Sequence, residues 1–149
     1  MSAQVWELLD RKEKSVVSVQ GSTTAYMAVK IMTENNIGCV LVVTKTGTLS
    51  GVCSERDVFR KVVLDGKNAK KTEVREIMTP KRQLATVTRK TTLTECMELI
   101  TEKRVRHLPV VDEAGRLEGI ISIGDVVKTL SSEKELMIRQ LEHYISSSL

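Results

Sequence analysis

Displaced by 68 residues, this chain lies on itself. Residues 17–60 align with residues 85–128 without a gap, and thirteen of the 44 aligned positions are identical. Val19 meets Val87, Thr23-Thr24 meets Thr91-Thr92, Thr33-Glu34 meets Thr101-Glu102, and Val42-Val43 meets Val110-Val111. Gly47, Leu49 and Gly51 meet Gly115, Leu117 and Gly119. Ser54 meets Ser122, and Asp57-Val58 meets Asp125-Val126. No other feature narrows the fold as far. Two copies, rather than the three or more of a solenoid, predict a paired module.

Each copy has the same local pattern. Ala25, Ala28, Val29 and Met32 recur at helical spacing, and Leu93, Cys96, Met97 and Ile100 take the equivalent places. Thr92 with Glu95 is a capping-box pattern, and Asn35-Asn36-Ile37-Gly38 closes the first helix. CVLVV at residues 39–43 reads as a strand buried on both faces. A Gly47-containing loop leads to a strand over residues 49–53, and LPVV, DEAGR and LEGII repeat that hairpin. A further helix starts near Ser54 and near Ser122. The expectation is an α+β fold with β-α-β-β-α order in each repeat.

Boundaries follow from the same pattern. Residues 1–66 form the first repeat with a lead-in helix at VWELL, 67–73 a linker, 74–130 the second repeat, and 131–149 a separate C-terminal helix. That last helix carries Leu136, Leu141, Tyr144 and Ile145 as an apolar stripe that needs a partner surface. The basic stretch GKNAKKT (66–72) reads as a solvated loop.

Composition removes several function classes. Aromatic residues are 3% of the chain (Trp6, Tyr26, Phe59, Tyr144), too few for a stacking platform on single-stranded nucleic acid. The net charge of +4 is spread evenly, +2 in residues 1–68 (9 basic, 7 acidic) and +2 in residues 69–149 (14 basic, 12 acidic). There is no basic tail, so the surplus suits a small anionic ligand better than nucleic acid. Three cysteines, Cys39, Cys53 and Cys96, do not make a disulfide framework and read as core residues of a reducing compartment. No stretch is apolar enough to span a membrane, and MSAQVWELLDRKEK lacks a signal core. The expected location is cytoplasmic, or an organelle matrix after removal of a transit peptide. His107 and His143 lack metal-ligand spacing, and no nucleophile elbow, P-loop or G-x-G-x-x-G is present, so the chain is not expected to be an enzyme.

Three stretches carry a resemblance. They are VREIMTP (74–80), RVRHLPVVDEAGRLEGIISIGDVV (104–127) and NIGCVLVVTKTGTLSGVCSERDVF (36–59). The repeat resembles the cystathionine β-synthase (CBS) domain, and roughly residues 5–130 resemble a tandem CBS pair, or Bateman module. The chain also looks like the stand-alone CBS-pair proteins of prokaryotes and plant organelles. The resemblance implies two repeats packed about a pseudo-twofold axis, with two clefts that bind adenosyl ligands. AMP, ADP and ATP come first; NAD and S-adenosylmethionine are further candidates, and no cofactor is required.

The same resemblance assigns residues. The ribose pattern is glycine, two apolar residues, Ser or Thr, two more residues, then Asp. It stands here as Gly51-Val52-Cys53-Ser54-Glu55-Arg56-Asp57 and Gly119-Ile120-Ile121-Ser122-Ile123-Gly124-Asp125. Ser54, Asp57, Ser122 and Asp125 would hold ribose; Val52 and Ile120 would pack on adenine, with backbone contacts around Val17 and Ala85. Family clefts mix the Asp of one repeat with the strand start of the other. The Asp57 cleft would then receive Arg106 and His107, which suit phosphate, and the Asp125 cleft Gly38 and Cys39, which bring no charge. Arg56, Lys128 and Arg60 are further phosphate candidates. Ser-x-x-Asp is also an ordinary helix N-cap with an acid in the first turn. A regulatory module of this kind would act as a homodimer and signal to an effector protein in trans. Thioredoxin is named by resemblance to some plant organellar relatives only. The alternative is an interaction module with empty clefts.

Overall fold

In the computed structural model the described residues are 3–11 and 16–148. A short helix, α1 (Val5–Arg11), opens the chain. The first repeat follows as β1 (Ser18–Gln20), α2 (Ala25–Asn35), β2 (Cys39–Val43), β3 (Leu49–Ser54) and α3 (Glu55–Val58), which runs into a π-helical turn, Phe59–Val63. Next come α4 (Val74–Ile77), β4 (Thr79–Pro80) and a 3-10 turn, Lys81–Gln83. The second repeat has α5 (Leu93–Lys103), β5 (His107–Val111), β6 (Leu117–Ser122) and α6 (Ile123–Ser148).

The helices form where the periodicity places them. Ala25, Ala28 and Met32 of α2 are buried, as are Leu93, Cys96 and Ile100 of α5. Thr24 caps α2 by accepting from the Met27 amide, and Thr92 and Glu95 make the expected reciprocal box on α5. Both helices end on a left-handed residue, Asn36 and Arg104, each at φ 54. That turn lets the following strand double back.

The first repeat builds a sheet in the order β1-β2-β3-β4, with β1 parallel to β2 and the other pairs antiparallel. In the second repeat β5 pairs with β6, and the strand expected before α5 shrinks to one parallel bridge, Val87 to Val110. Pro109 stands where Leu41 donates its amide to the Val17 carbonyl in the first repeat, and proline has no amide to give.

The lead-in helices pack across the repeats. Val5 and Leu8 of α1 lie in the core of the second repeat, with Val87, Leu93, Leu108 and Ile121. Val74 and Ile77 of α4 lie in the core of the first, with Val19, Ala25, Val40 and Cys53. The exchange is written into the main chain. The Val5 amide bonds to the Thr91 carbonyl (2.9 Å) and the Leu93 amide to the Ala3 carbonyl (2.8 Å). The Val74 amide bonds to the Thr23 carbonyl (2.8 Å) and the Ala25 amide to the Thr72 carbonyl (2.8 Å). Each lead-in therefore closes the helix start of the other repeat. The 67–73 linker is correspondingly docked: Thr72 is buried, the Ala69 carbonyl accepts from the Tyr26 amide, and Lys70 sits over the Tyr26 ring.

A third cluster joins the repeats. Leu41, Leu49 and Val111 are buried there, with Val16, Val52, Leu84, Leu117 and Ile120 packed around them. Most are copy-related pairs (16 and 84, 49 and 117, 52 and 120), which places the pseudo-twofold axis through this cluster. The C-terminal helix is not a separate element, because α6 is continuous from the second repeat to Ser148. Met137, Ile138, Leu141 and Ile145 are exposed along one stripe; Leu136 is exposed off it, and the Tyr144 side chain lies outside the described residues. No helix among the described residues is long and apolar enough to cross a membrane.

Candidate functional site

The two ribose-pattern segments fold alike. β3 and β6 each run straight into a helix, and the last strand residue, Ser54 or Ser122, is at the helix start. The Asp57 amide donates to Ser54 Oγ at 3.1 Å, and the Ser54 amide returns a bond to Asp57 Oδ2 at 3.0 Å. The Asp125 amide donates to Ser122 Oγ at 3.1 Å, and the Ser122 amide to Asp125 Oδ2 at 3.0 Å. The plain capping role of Ser-x-x-Asp is thus realised in both copies. It also fixes both carboxylates at the end of an apolar strand, in the first turn of the helix that follows.

The motif glycines have a separate task. A Cβ on Gly119 would come within 2.7 Å of Leu9 Cδ2, and one on Gly51 would overlap the Thr79 carbonyl and Met78. Both positions stay bare so that the exchanged lead-ins can lie on the strand; β4 pairs there with Gly51 and Val52. These glycines serve packing against the lead-ins.

Val52 and Ile120 come together in the inter-repeat cluster, each one strand step from its Ser–Asp box. Val17 and Ala85 instead pack on their own repeats' cores, and Val16 and Leu84 face the shared cluster. The Val17 carbonyl accepts from the Leu41 amide at 3.2 Å.

The strand starts are tied to helix starts within each repeat. The Glu55 amide bonds to the Gly38 carbonyl (3.0 Å), and Cys39 pairs with Ser54. The Ile123 amide bonds to the Arg106 carbonyl (2.8 Å), and His107 pairs with Ser122. The main chain thus carries Arg106 and His107 to the helix bearing Asp125. Arg56, Arg60, Arg106, His107 and Lys128 are exposed.

Sequence reasoning missed Lys61. Its Nζ stands 3.5 Å from Asp57 Oδ1 and donates to the Ile77 carbonyl at 2.9 Å. The equivalent residue is Thr129, and a reading built on what two copies share passes over a position where they differ.

The thiols are quiet. Burial pushes Cys53 up to about 12 and Cys96 up to about 11, from an ordinary value of 9.0, with Asp57 and Glu95 adding to the two shifts. Burial, then Glu55, also raises Cys39. Cys39 pairs with Ser54 and Val40 with Cys53, so the first two thiols point to opposite faces of the sheet. Among the described residues no group of three or more His, Cys, Asp or Glu could hold a metal ion.

Comparison with known proteins identifies the repeat. The sequence model of the CBS domain matches residues 9–64 and 74–132. The chain is 42% identical over 125 residues to the mitochondrial CBS domain-containing protein CBSX3 of Arabidopsis thaliana. That match takes in 82% of this chain and 60% of the relative, so the chain spans less than two thirds of that protein's length. A CBS-domain containing protein from Agrobacterium tumefaciens is similar in structure, with a TM-score of 0.74 and 36% identity over 85% of this chain and 98% of that one. CBSX2, solved in complex with AMP, has a TM-score of 0.76 and 27% identity over 89% of this chain and 98% of its own.

Proposed function

The chain belongs to the CBS domain family, and from that premise we propose that it is a regulatory module whose two clefts bind adenine nucleotides through the ribose. One observation carries the reading. The structure sets two matching Ser–Asp boxes at two helix starts, each next to an apolar residue of the inter-repeat cluster, Val52 or Ile120. A carboxylate held in this way can accept from both hydroxyls of a ribose diol, an apolar neighbour can cover adenine, and the helix start favours phosphate. The AMP complex of CBSX2 supports the same ligand class.

In this reading Arg106 and His107 reach the phosphate of the Asp57 cleft across the repeats, which makes the two clefts unequal. Ligand binding favours one arrangement of the repeats, and the favoured arrangement is what an effector protein reads. The module works as a homodimer, for which the exposed stripe of α6 and the exposed Phe59, Val63 and Val127 supply apolar surface. Calorimetry with AMP, ADP, ATP, NAD and S-adenosylmethionine tests the binding. At least one adenine nucleotide binds with defined stoichiometry if the reading is right; no heat from any of them leaves the interaction-module alternative. Sedimentation equilibrium tests assembly, where a 16.6 kDa species alone refutes the dimer.

A further inference from the structure

Lys61 lies one helical turn beyond Asp57, within the π-helical turn of the first repeat. Asp57 Oδ2 already accepts from the Ser54 amide (3.0 Å) and hydroxyl (3.1 Å). The oxygen that remains for a ligand is Oδ1, and the Lys61 ammonium stands 3.5 Å from it. A second bond, 2.9 Å to the Ile77 carbonyl, steadies the ammonium there. In the second repeat Thr129 occupies the equivalent position and donates its hydroxyl to the Asp125 backbone carbonyl at 3.0 Å. That neutral hydroxyl, spent on its own helix, brings no cation to the carboxylate.

We propose that Lys61 is a specificity determinant of the Asp57 cleft, competing with the vicinal diol of a riboside for Asp57 Oδ1. An uncharged riboside must share Oδ1 with the ammonium. An anionic nucleotide can offer the ammonium a phosphate oxygen in exchange, so the Asp57 cleft favours nucleotides over nucleosides by a route independent of Arg106. The inference rests on the reading that this cleft holds a ribose. Lys61 is 45% exposed and Asp57 13%, so solvent screens the pair and the competition amounts to a factor of about two to five.

The test uses the full chain carrying Asp125→Ala, which leaves the Asp57 carboxylate as the diol acceptor. Adenosine and 2′,3′-dideoxyadenosine are titrated calorimetrically into this protein with Lys61, with Lys61→Thr, and with Lys61→Met, which keeps the aliphatic stem. The expected result is about two- to fivefold tighter adenosine binding in both lysine variants, with dideoxyadenosine unchanged. Adenosine binding that is unchanged or weaker, or an equal gain for both nucleosides, overturns the role of Lys61 and leaves the ribose reading standing. Failure of the wild-type chain to bind adenosine or AMP overturns the ribose reading, and this inference with it.

Discussion

The Leu49 amide donates to the Gly115 carbonyl at 3.1 Å, and its copy-related bond, Leu117 amide to Gly47 carbonyl, measures 2.9 Å. Each hairpin turn thus completes its hydrogen bonding on the other repeat. Together with the exchanged lead-ins, this leaves no cut through the chain that separates two self-sufficient halves. The repeats are therefore expected to unfold as one cooperative unit.

Leu8 gives a direct test of the exchange. It is buried among residues of the second repeat, 85 positions and more downstream in part. Leu8→Ala should cost about 2–5 kcal/mol, and hydrogen exchange should accelerate first in α5 and β5. Acceleration confined to α2 and β2 would contradict the exchange.

Gly51 and Gly119 separate a hard contact from a soft one. A methyl group on Gly51 meets backbone, the Thr79 carbonyl, whereas on Gly119 it meets the mobile tip of Leu9. Gly51→Ala should destabilise by about 1–3 kcal/mol, the usual range for overpacking, and Gly119→Ala by clearly less. Urea unfolding of the two variants checks the order; equal losses would show that the lead-ins do not press on the strands as described.

Stability should fall in alkali through the buried thiols. Their folded values, about 12 for Cys53 and about 11 for Cys96, lie above the ordinary 9.0. Above pH 9 the unfolded chain releases these protons while the folded chain keeps them, so stability present below pH 9 is lost as pH rises toward the folded values. Melting temperatures measured from pH 8 to about pH 11 should drop more steeply for wild type than for Cys53→Ala/Cys96→Ala. Parallel curves would refute it.

Arg106 bears on the inequality of the clefts. Its planar fork suits phosphate oxygens bidentately. Arg106→Ala should weaken AMP while leaving adenosine nearly unchanged in the Asp57 cleft. Loss of both ligands alike, or an effect limited to the Asp125 cleft, would contradict the assignment of Arg106 to the phosphate of the Asp57 cleft.

Much of this was legible because it is local or repeated. Ala25, Ala28 and Met32 announce their helix by spacing, and Thr92 with Glu95 announces a cap. The Ser–Asp boxes stand out because the pattern recurs, once in each repeat. What was hidden depends on distant partners. VREI is too short to reveal which core takes Val74 and Ile77, and VWELL gives no sign that Val5 and Leu8 cross to the other repeat. Lys61 escaped because the copies differ there, where the second repeat carries Thr129. The continuity of α6 escaped because Ser131-Ser132 looks like a break, yet Ser132 spends its hydroxyl on the Lys128 carbonyl and stays helical.

The central claim is that Asp57 and Asp125 hold ribose, and AMP calorimetry on wild type and on Asp57→Ala/Asp125→Ala tests it most directly. Each aspartate should contribute roughly 1.5–3 kcal/mol, the range for hydrogen bonds to a charged group. Wild type should bind AMP, and the double variant, still folded by circular dichroism, should lose affinity by about tenfold or more. A folded double variant that binds AMP as tightly as wild type would contradict the account.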